Sequence, residues 1–384
     1  MSANKPTLLF YCQHLLGIGH LTRSLAICDA LAADFEVHFV QGGPDVGKTL
    51  QAPDFHHHFL TPLLMKESDS SLYDPAGVKS PEEIFELRQK SIKDLVASKK
   101  FDVVITELFP FGRNKFKPEV VAMIKALREV NPQILVATSV RDILVEKKDS
   151  KERDRKMAAL VQDYYDWVLV HSDERIVRLE ETFSLANELT AKMHYTGFVT
   201  ETPKSEKHTQ RRKEILISMG GGVVGDEMVL AVLKTVPHFS EYLFRVVPGP
   251  YASAELKETL AALSQTAANL RIEKFLHNFE EELSQVALSI SLAGYNTMMN
   301  ILNTKTPAIV YPYMANIEQN LRATRMAGEG LMSVIYDSDL DLETLKSKMT
   351  AQLQATWPSF EVNLKGSEGS SQFLLKKIKE RSLT

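Results

Sequence analysis

"ILISMGGGVVGDEMVLAVLKTV", residues 215–236, reads as three segments in a row. The first is apolar on successive residues, as a strand covered on both faces is. Consecutive glycines follow, with another at Gly225, and then a helical apolar period in "DEMVLAVLKTV". A strand that ends in bare glycines and opens a helix suits an anion, because free amides and the positive end of the helix dipole face one point. Gly220, Gly221 and Gly222 are therefore expected to contact a phosphate. The plain alternative is a flexible connector.

The same rhythm runs outward in both directions. Before residue 200 the strand candidates are "TLLFYC" (7–12), "FEVHFV" (35–40), "DVVITE" (102–107), "QILVAT" (133–138) and "WVLVHS" (167–172). Between them lie helical patterns such as "HLTRSLAICDALAA" (20–33), where Leu21, Leu25, Cys28 and Ala32 share a face. A polar, charged stretch, "TETPKSEKHTQRRKE" (200–214), interrupts the pattern. After it come "ILISMG", "YLFRVV" (242–247), "LRIEKF" (270–275), "ALSISL" (287–292), "PAIVYP" (307–312) and "LMSVIY" (331–336). The expectation is an α/β protein of two doubly wound, Rossmann-like domains with a cleft between them: residues 1–200, a linker over 201–213, and residues 214–357.

Composition narrows the function. The 384 residues carry a net charge of -4, so no global basic field argues for nucleic acid. The two cysteines, Cys12 and Cys28, make neither a disulfide framework nor a metal motif. The first residues lack the pattern of a signal peptide, and no apolar run is long enough to span a membrane. A cytoplasmic location is expected.

Other strand ends offer glycines. "QHLLGIGHLTR" (13–23) holds Gly17 and Gly19 ahead of His20 and Arg23, a G-x-G-H-x-x-R turn rather than a dinucleotide fingerprint. His20 would aim its ring to the ligand side, against the plain reading of a surface histidine. "GGPDVGKT" (42–49) satisfies the Walker A pattern. A working phosphate loop needs a full helix after its Lys-Thr end, and Pro53 leaves room for about one turn. The stretch is read as a turn between elements, with a P-loop NTPase kept as an alternative. "SLAGYNTMMNIL" (291–302) and "YPYMANIEQNLRA" (311–323) place further polar groups at strand ends.

These C-terminal motifs carry a resemblance to glycosyltransferases of the two-domain "B" fold (GT-B), and within them to family 28. It covers about residues 7–340, and the C-terminal motifs are its specific part. The resemblance implies that Gly220–Gly225 contact a diphosphate. It places Phe275, Leu276 and Phe279 around the nucleobase, and Gly294, Tyr295, Asn296 and Thr297 beside the pyrophosphate. It gives Glu318 and Gln319 to the sugar hydroxyls, and Arg245 is counted with the donor set. Three positions depart from the family pattern: Asn300 replaces a ribose-binding Glu, Tyr295 replaces a small residue, and Arg322 replaces an Asn. By analogy with relatives, the segment 358–384 crosses back onto the first domain.

The function so implied is transfer of a sugar from a nucleotide-diphosphate sugar, a UDP-sugar foremost, to an acceptor hydroxyl, inverting and without metal or other cofactor. His20 is the first candidate for the base and Glu107 the second. Gly17, Gly19, Arg23, Arg141 and Asp142 are expected on the acceptor side, Arg141 and Asp142 with the plain alternative of an ion pair or helix start. "PFGRNKFKPE" (110–119) mixes Phe111 and Phe116 with cations and is a candidate contact for an anionic lipid surface or a charged acceptor, against the alternative of a solvated loop. "DSDLDLE" (337–343) reads as a helix N-cap at Asp341 rather than a metal motif. "HHH" (56–58) reads as a loop or strand edge, since alternating side chains cannot all face one ion. A nucleotide-sugar hydrolase of the same fold is the nearest rival. The oligomeric state is left open.

Overall fold

The structure is a computed structural model that describes residues 5–15, 19–66, 68–144, 150–200, 211–220 and 224–382. The chain divides into two units, Met1–Glu201 with Asn363–Thr384, and Thr202–Val362.

In chain order, unit 1 contains β1 (Thr7–Cys12), α1 (Gly19–Leu31), β2 (Glu36–Gln41), β3 (Phe55–Phe59) and a small hairpin of β4 (Leu64–Met65) and β5 (Leu72–Tyr73). It continues through α2 (Pro81–Ser98), β6 (Val103–Glu107), α3 (Lys117–Val130), β7 (Leu135–Arg141), α4 (Ser150–Tyr164), β8 (Trp167–His171) and β9 (Met193–Tyr195). Seven parallel strands lie in the order β3-β2-β1-β6-β7-β8-β9. Successive apolar residues of β1 serve opposite faces. Leu8, Phe10 and Cys12 pack with Leu21, Leu25 and Cys28 of α1, and Leu9 and Tyr11 pack with Ile84 and Ile92 of α2 and Val120 of α3. That two-sided cover is why the strand reads as an unbroken apolar run.

Unit 2 contains β10 (Arg212–Ser218), α5 (Asp226–Leu233), β11 (Leu243–Val247), α6 (Ala254–Thr266), β12 (Leu270–Ile272), α7 (Phe279–Gln285) and β13 (Val286–Leu292). Then come α8 (Tyr295–Thr304), β14 (Ala308–Tyr311), α9 (Ile317–Gly328), β15 (Ser333–Val334) and α10 (Leu342–Gln354). Its six parallel strands run β12-β11-β10-β13-β14-β15. In each sheet the strand order reverses beside the unit's first strand, at β1/β6 and at β10/β13. A doubly wound sheet opens its ligand crevice at such a switch point, beyond the carboxyl ends of the strands.

The last helix, α11 (Gly366–Ser382), belongs to unit 1. It buries Leu374 in the α1 face of that core, and the Ser371 hydroxyl donates to Asp34 at 2.6 Å. Ahead of it, the Asn363 amide donates to Asp173 at 2.9 Å.

Several expectations change. Residues 201–210 of the expected linker lie outside the described residues, but Arg212 and Lys213 already belong to β10. Arg211 is anchored by carbonyls of Ser284 and Thr304 at 2.9 and 2.8 Å. Its basic run had hidden a strand start. "HHH" is the middle of β3, a strand at the sheet edge. Phe111 and Phe116, offered as lipid-facing, are buried in the core, and the Arg88 guanidinium lies 5.3 Å from the Phe116 ring. The loop presents no apolar wedge to a bilayer. Among the described residues no helix is long and apolar enough to cross a membrane. Asp341 caps α10 by accepting from the Thr344 amide at 2.9 Å. Both cysteines are buried and free.

Candidate active site

The carboxyl end of the first sheet gathers charge. His20 lies in the first turn of α1 and Glu107 is the last residue of β6, so the β1/β6 switch point brings them together. His20 Nδ1 stands 2.8 Å from Glu107 Oε1, and the Arg23 guanidinium donates to the same oxygen. Arg23 is one helical turn after His20, hence on the same side of α1. Burial alone would raise the Glu107 carboxyl, but His20, then Arg23 and Arg113, hold it down to about 2. Glu107 is therefore an ionised acceptor, and His20 Nδ1 carries the hydrogen between them. The Glu107 charge draws the His20 pKa up, but burial and the Arg23 and Arg113 cations outweigh it and leave it below 6.5. At neutral pH the ring is an uncharged imidazole, and its Nε2 has no hydrogen-bond partner among the described residues. The His20 side chain keeps 20% of its exposure, while Glu107 keeps none.

The expected roles sort differently once geometry is seen. Arg23 was placed with the acceptor, but it is buried and spends its charge on Glu107. Glu107, a second candidate base, is shielded from solvent and its carboxylate faces His20 Nδ1. Gly19 opens α1. Gly17 lies outside the described residues. Arg141 closes β7 half-buried, and Asp142 after it is buried.

Two histidines escaped the sequence reading. His14, just past β1, is buried, and no partner of its Nε2 occurs among the described residues. Burial lowers its pKa, against a backbone hydrogen bond at Pro44; nearby Arg113 and His20 lower it further and Glu107 opposes them. His171, the end of β8, bonds Ser139 Oγ and Thr196 Oγ1 at 2.8 Å each. Its burial pushes the pKa down to about 3.

"GGPDVGKT" finds its meaning here. No helix follows Lys48 and Thr49; the chain runs without regular structure to β3, which removes the geometry a phosphate loop needs. Lys48 Nζ instead meets Thr22 Oγ1 at 3.3 Å. A Cβ on Gly43 would fall 2.4 Å from the His14 ring, and one on Gly42 2.0 Å from Gln13 Oε1. These glycines make room for side chains of unit 1. Behind Gly42 lies a buried network in which Arg88 donates to Glu119 Oε2 and to Gln13 Oε1 at 2.8 and 2.7 Å. Tyr11 donates to Glu119 at 2.5 Å.

Unit 2 has a different carboxyl end. Gly220 follows β10 at φ +66, while Gly221 and Gly222 lie outside the described residues. Gly225 caps α5, whose first turn holds Asp226 and Glu227. Two acids at a helix start oppose an anion, but both are tied aside: Asp226 accepts from the Ser253 amide at 3.0 Å, and Glu227 from the Tyr311 hydroxyl at 3.1 Å. The start of α8 is cleaner, with Gly294 as N-cap, Tyr295, Asn296 and Thr297 in its first turn and no acid there. Asn300 lies one turn further on the same helix.

Gly249, in the P-G-P after β11, was missed. A Cβ there would meet the Gly220 carbonyl oxygen at 2.5 Å, and its φ is +76. Glycine lets the second loop lie backbone to backbone on the first. Arg245 is corrected: mid-strand in β11, it donates to Glu273 at 2.5 Å and to Glu214 at 3.1 Å, and also pairs with Glu282. With three carboxylates around it, this guanidinium joins β10, β11 and α7 rather than meeting a donor. Two departures from the family pattern prove to be one feature, since the Arg322 guanidinium stands 4.9 Å from the Tyr295 ring centroid. Arg322 also pairs with Glu318 at 3.6 Å. Gln319 Oε1 accepts from the Tyr313 amide at 3.0 Å. Phe275 is 69% exposed beyond β12, with Leu276 and Phe279 half-buried after it. Tyr251, Tyr313 and Met314 are exposed after β11 and β14, so apolar groups collect on the loops at this end of the sheet.

Residues 215–366 match the glycosyltransferase family 28 C-terminal domain. A UDP-N-acetylglucosamine–N-acetylmuramyl-(pentapeptide) pyrophosphoryl-undecaprenol N-acetylglucosamine transferase of Bacillus cereus is 26% identical over 143 residues, 35% of this chain and 37% of the relative. Its counterpart from Bacillus cytotoxicus is 33% identical over 79 residues, 20% of this chain and 22% of the relative. The chain thus matches well under half the length of either curated relative. Solved structures agree in fold along the whole chain. MurG of Acinetobacter baumannii superposes with a TM-score of 0.54 at 14% identity, covering 97% of this chain and 100% of that one. The UDP-GlcNAc 2-epimerase of Methanocaldococcus jannaschii gives 0.61 at 13% identity, covering 96% and 99%. Residues 215–366 are thus similar to the C-terminal domain of glycosyltransferase family 28, and the chain as a whole shares the GT-B fold of these solved structures.

Proposed function

We propose that this protein transfers a sugar from a nucleotide-diphosphate sugar, a UDP-sugar first, to an acceptor hydroxyl, with inversion and without a metal. The observation that carries the reading is the His20–Glu107 pair at 2.8 Å, fixed by Arg23 at a switch point of the sheet. Such a pair orients a neutral imidazole as a general base. His20 Nε2 removes the acceptor proton as the acceptor oxygen attacks the anomeric carbon, and Glu107 stabilises the imidazolium that forms. The bond to the diphosphate breaks, and its electron pair leaves with the nucleotide.

Unit 2 binds the donor in this reading. The amides at Gly220 and at the start of α8 receive the diphosphate charge, Phe275 and Leu276 meet the base, and Glu318 and Gln319 read the sugar. The acceptor is a hydroxyl compound on the side of unit 1. A peripheral role at the inner face of a membrane accords with the lipid-linked acceptor in the relatives' name.

A thermal-shift panel of UDP, GDP and dTDP with their sugars, ATP as control, tests donor binding. A shift with ATP alone would sink the reading. Product NMR decides inversion. UDP release at full rate with no acceptor present would instead mark a hydrolase.

A further inference from the structure

We propose that Glu36, His38 and His56 form a binding site for a divalent transition cation of the zinc class, at the amino-terminal half of the first sheet and apart from the catalytic end. The register of two strands builds it. His38 of β2 pairs with His56 of β3, and Val40 with His58, so His38, His56 and His58 share one face with Glu36. The alternation that bars three consecutive histidines from a common ion removes only His57. That ring lies on the opposite face, edge-on to Phe39 and 3.0 Å from Gln41.

The distances fit an ion. Glu36 Oε1 lies 3.3 Å from His38 Nε2 and 3.3 Å from His56 Nε2. All three ligand atoms lie within 4.8 Å of one another. A tetrahedral ion with ligands at about 2.0–2.1 Å has ligand–ligand edges of roughly 3.3–3.4 Å. The second nitrogen of His38 is held as well, with Nδ1 2.9 Å from His58 Nε2 and the two rings stacked. Metal-ligating histidines have their other nitrogen fixed in this way. The Phe101 ring stands edge-on to His38 and sets its plane. Two imidazoles and one carboxylate suit zinc, cobalt, nickel or copper rather than magnesium or calcium. Glu36 and His56 remain partly exposed, so an ion has a way in.

One cation competes. Lys99, at the end of α2, contacts Glu36 Oε1 and is a third exposed, free to swing into water when an ion arrives. An ion here would clip the edge strand β3 to β2.

The test is titration of the untagged full-length chain with Co²⁺ near neutral pH, followed by visible absorption, then displacement by Zn²⁺. A single Co²⁺ per chain is expected. His56→Gln, at an exposed position, should weaken binding at least about tenfold, and His58→Gln about tenfold through loss of the support to His38. His57→Gln should leave binding unchanged, and Lys99→Met should tighten it. Absence of bound Co²⁺, or equal binding by wild type and a folded His56→Gln, overturns the proposal and leaves a cross-strand polar ladder.

Discussion

The carboxyl ends of the two sheets share a topology and differ in chemistry. In unit 1 the switch point is filled by side chains, the buried Glu107 and Arg23 pair with the part-exposed His20 imidazole on the same carboxylate, and the same unit buries Arg88 against Glu119. In unit 2 it is lined by backbone, with Gly220, Gly249 and the start of α8, whose N-cap Gly294 supplies no side-chain bond, and rimmed by exposed Phe275 and Tyr313. Buried charges tune a proton affinity, because burial and neighbours shift it strongly. Bare amides and open apolar surface suit a flat, anionic ligand without titrating. The difference teaches that one kind of strand order can carry two chemistries, set by which residues end the strands.

The comparison can be broken at several points, here in descending order of effect. Arg88→Met should unfold unit 1 early, costing about 3–5 kcal/mol, because Glu119 is left as a buried unpaired charge; urea denaturation measures it. His20→Ala should lower kcat roughly 10²-fold or more while UDP affinity, followed by calorimetry, is retained. A loss of UDP affinity instead would move the imidazole to the donor side. Gly249→Ala should do the reverse. Its Cβ displaces the Gly220 bend, so UDP binding should weaken about tenfold with little change in the stability of unit 1, an effect in the lower part of the range for one strained residue.

Three finer tests follow. The base form of His20 is lost as pH falls through its lowered pKa, so kcat/KM should drop on an acid limb below 6.5. Glu107→Gln removes the attraction that raises that pKa, so the limb should move to lower pH in a less active enzyme. A limb that stays in place would separate Glu107 from His20. Smallest of all, Tyr295→Leu takes the ring from Arg322 and should cost about 1 kcal/mol in thermal stability of unit 2.

Much of the fold could be read in advance because it is written locally. β1, β6, β8 and β13 announce themselves as apolar runs, and both faces of their sheets are covered. β3 did not, since an edge strand with one open face tolerates histidines where an inner strand would not. The start of β10 was hidden for a similar reason, its first residues being Arg212 and Lys213.

The sequence by itself determined the alternation of strand and helix, the glycine bends at strand ends and His20 at the head of α1. Each depends on residues within a turn or two of one another. Only the tertiary structure decided what those residues do. Glu107 lies 87 positions from His20, and Glu119 lies 108 from Tyr11, so neither pairing leaves a local trace. Spacing alone let Gly43 satisfy the Walker A pattern, and only the His14 ring packed against it shows what its missing side chain makes room for. Arg245 is counted with the donor set from sequence, and only the fold brings three carboxylates, Glu214, Glu273 and Glu282, around it. Charge, burial and proton affinity belong to neighbours in space, and spacing along the chain does not specify them.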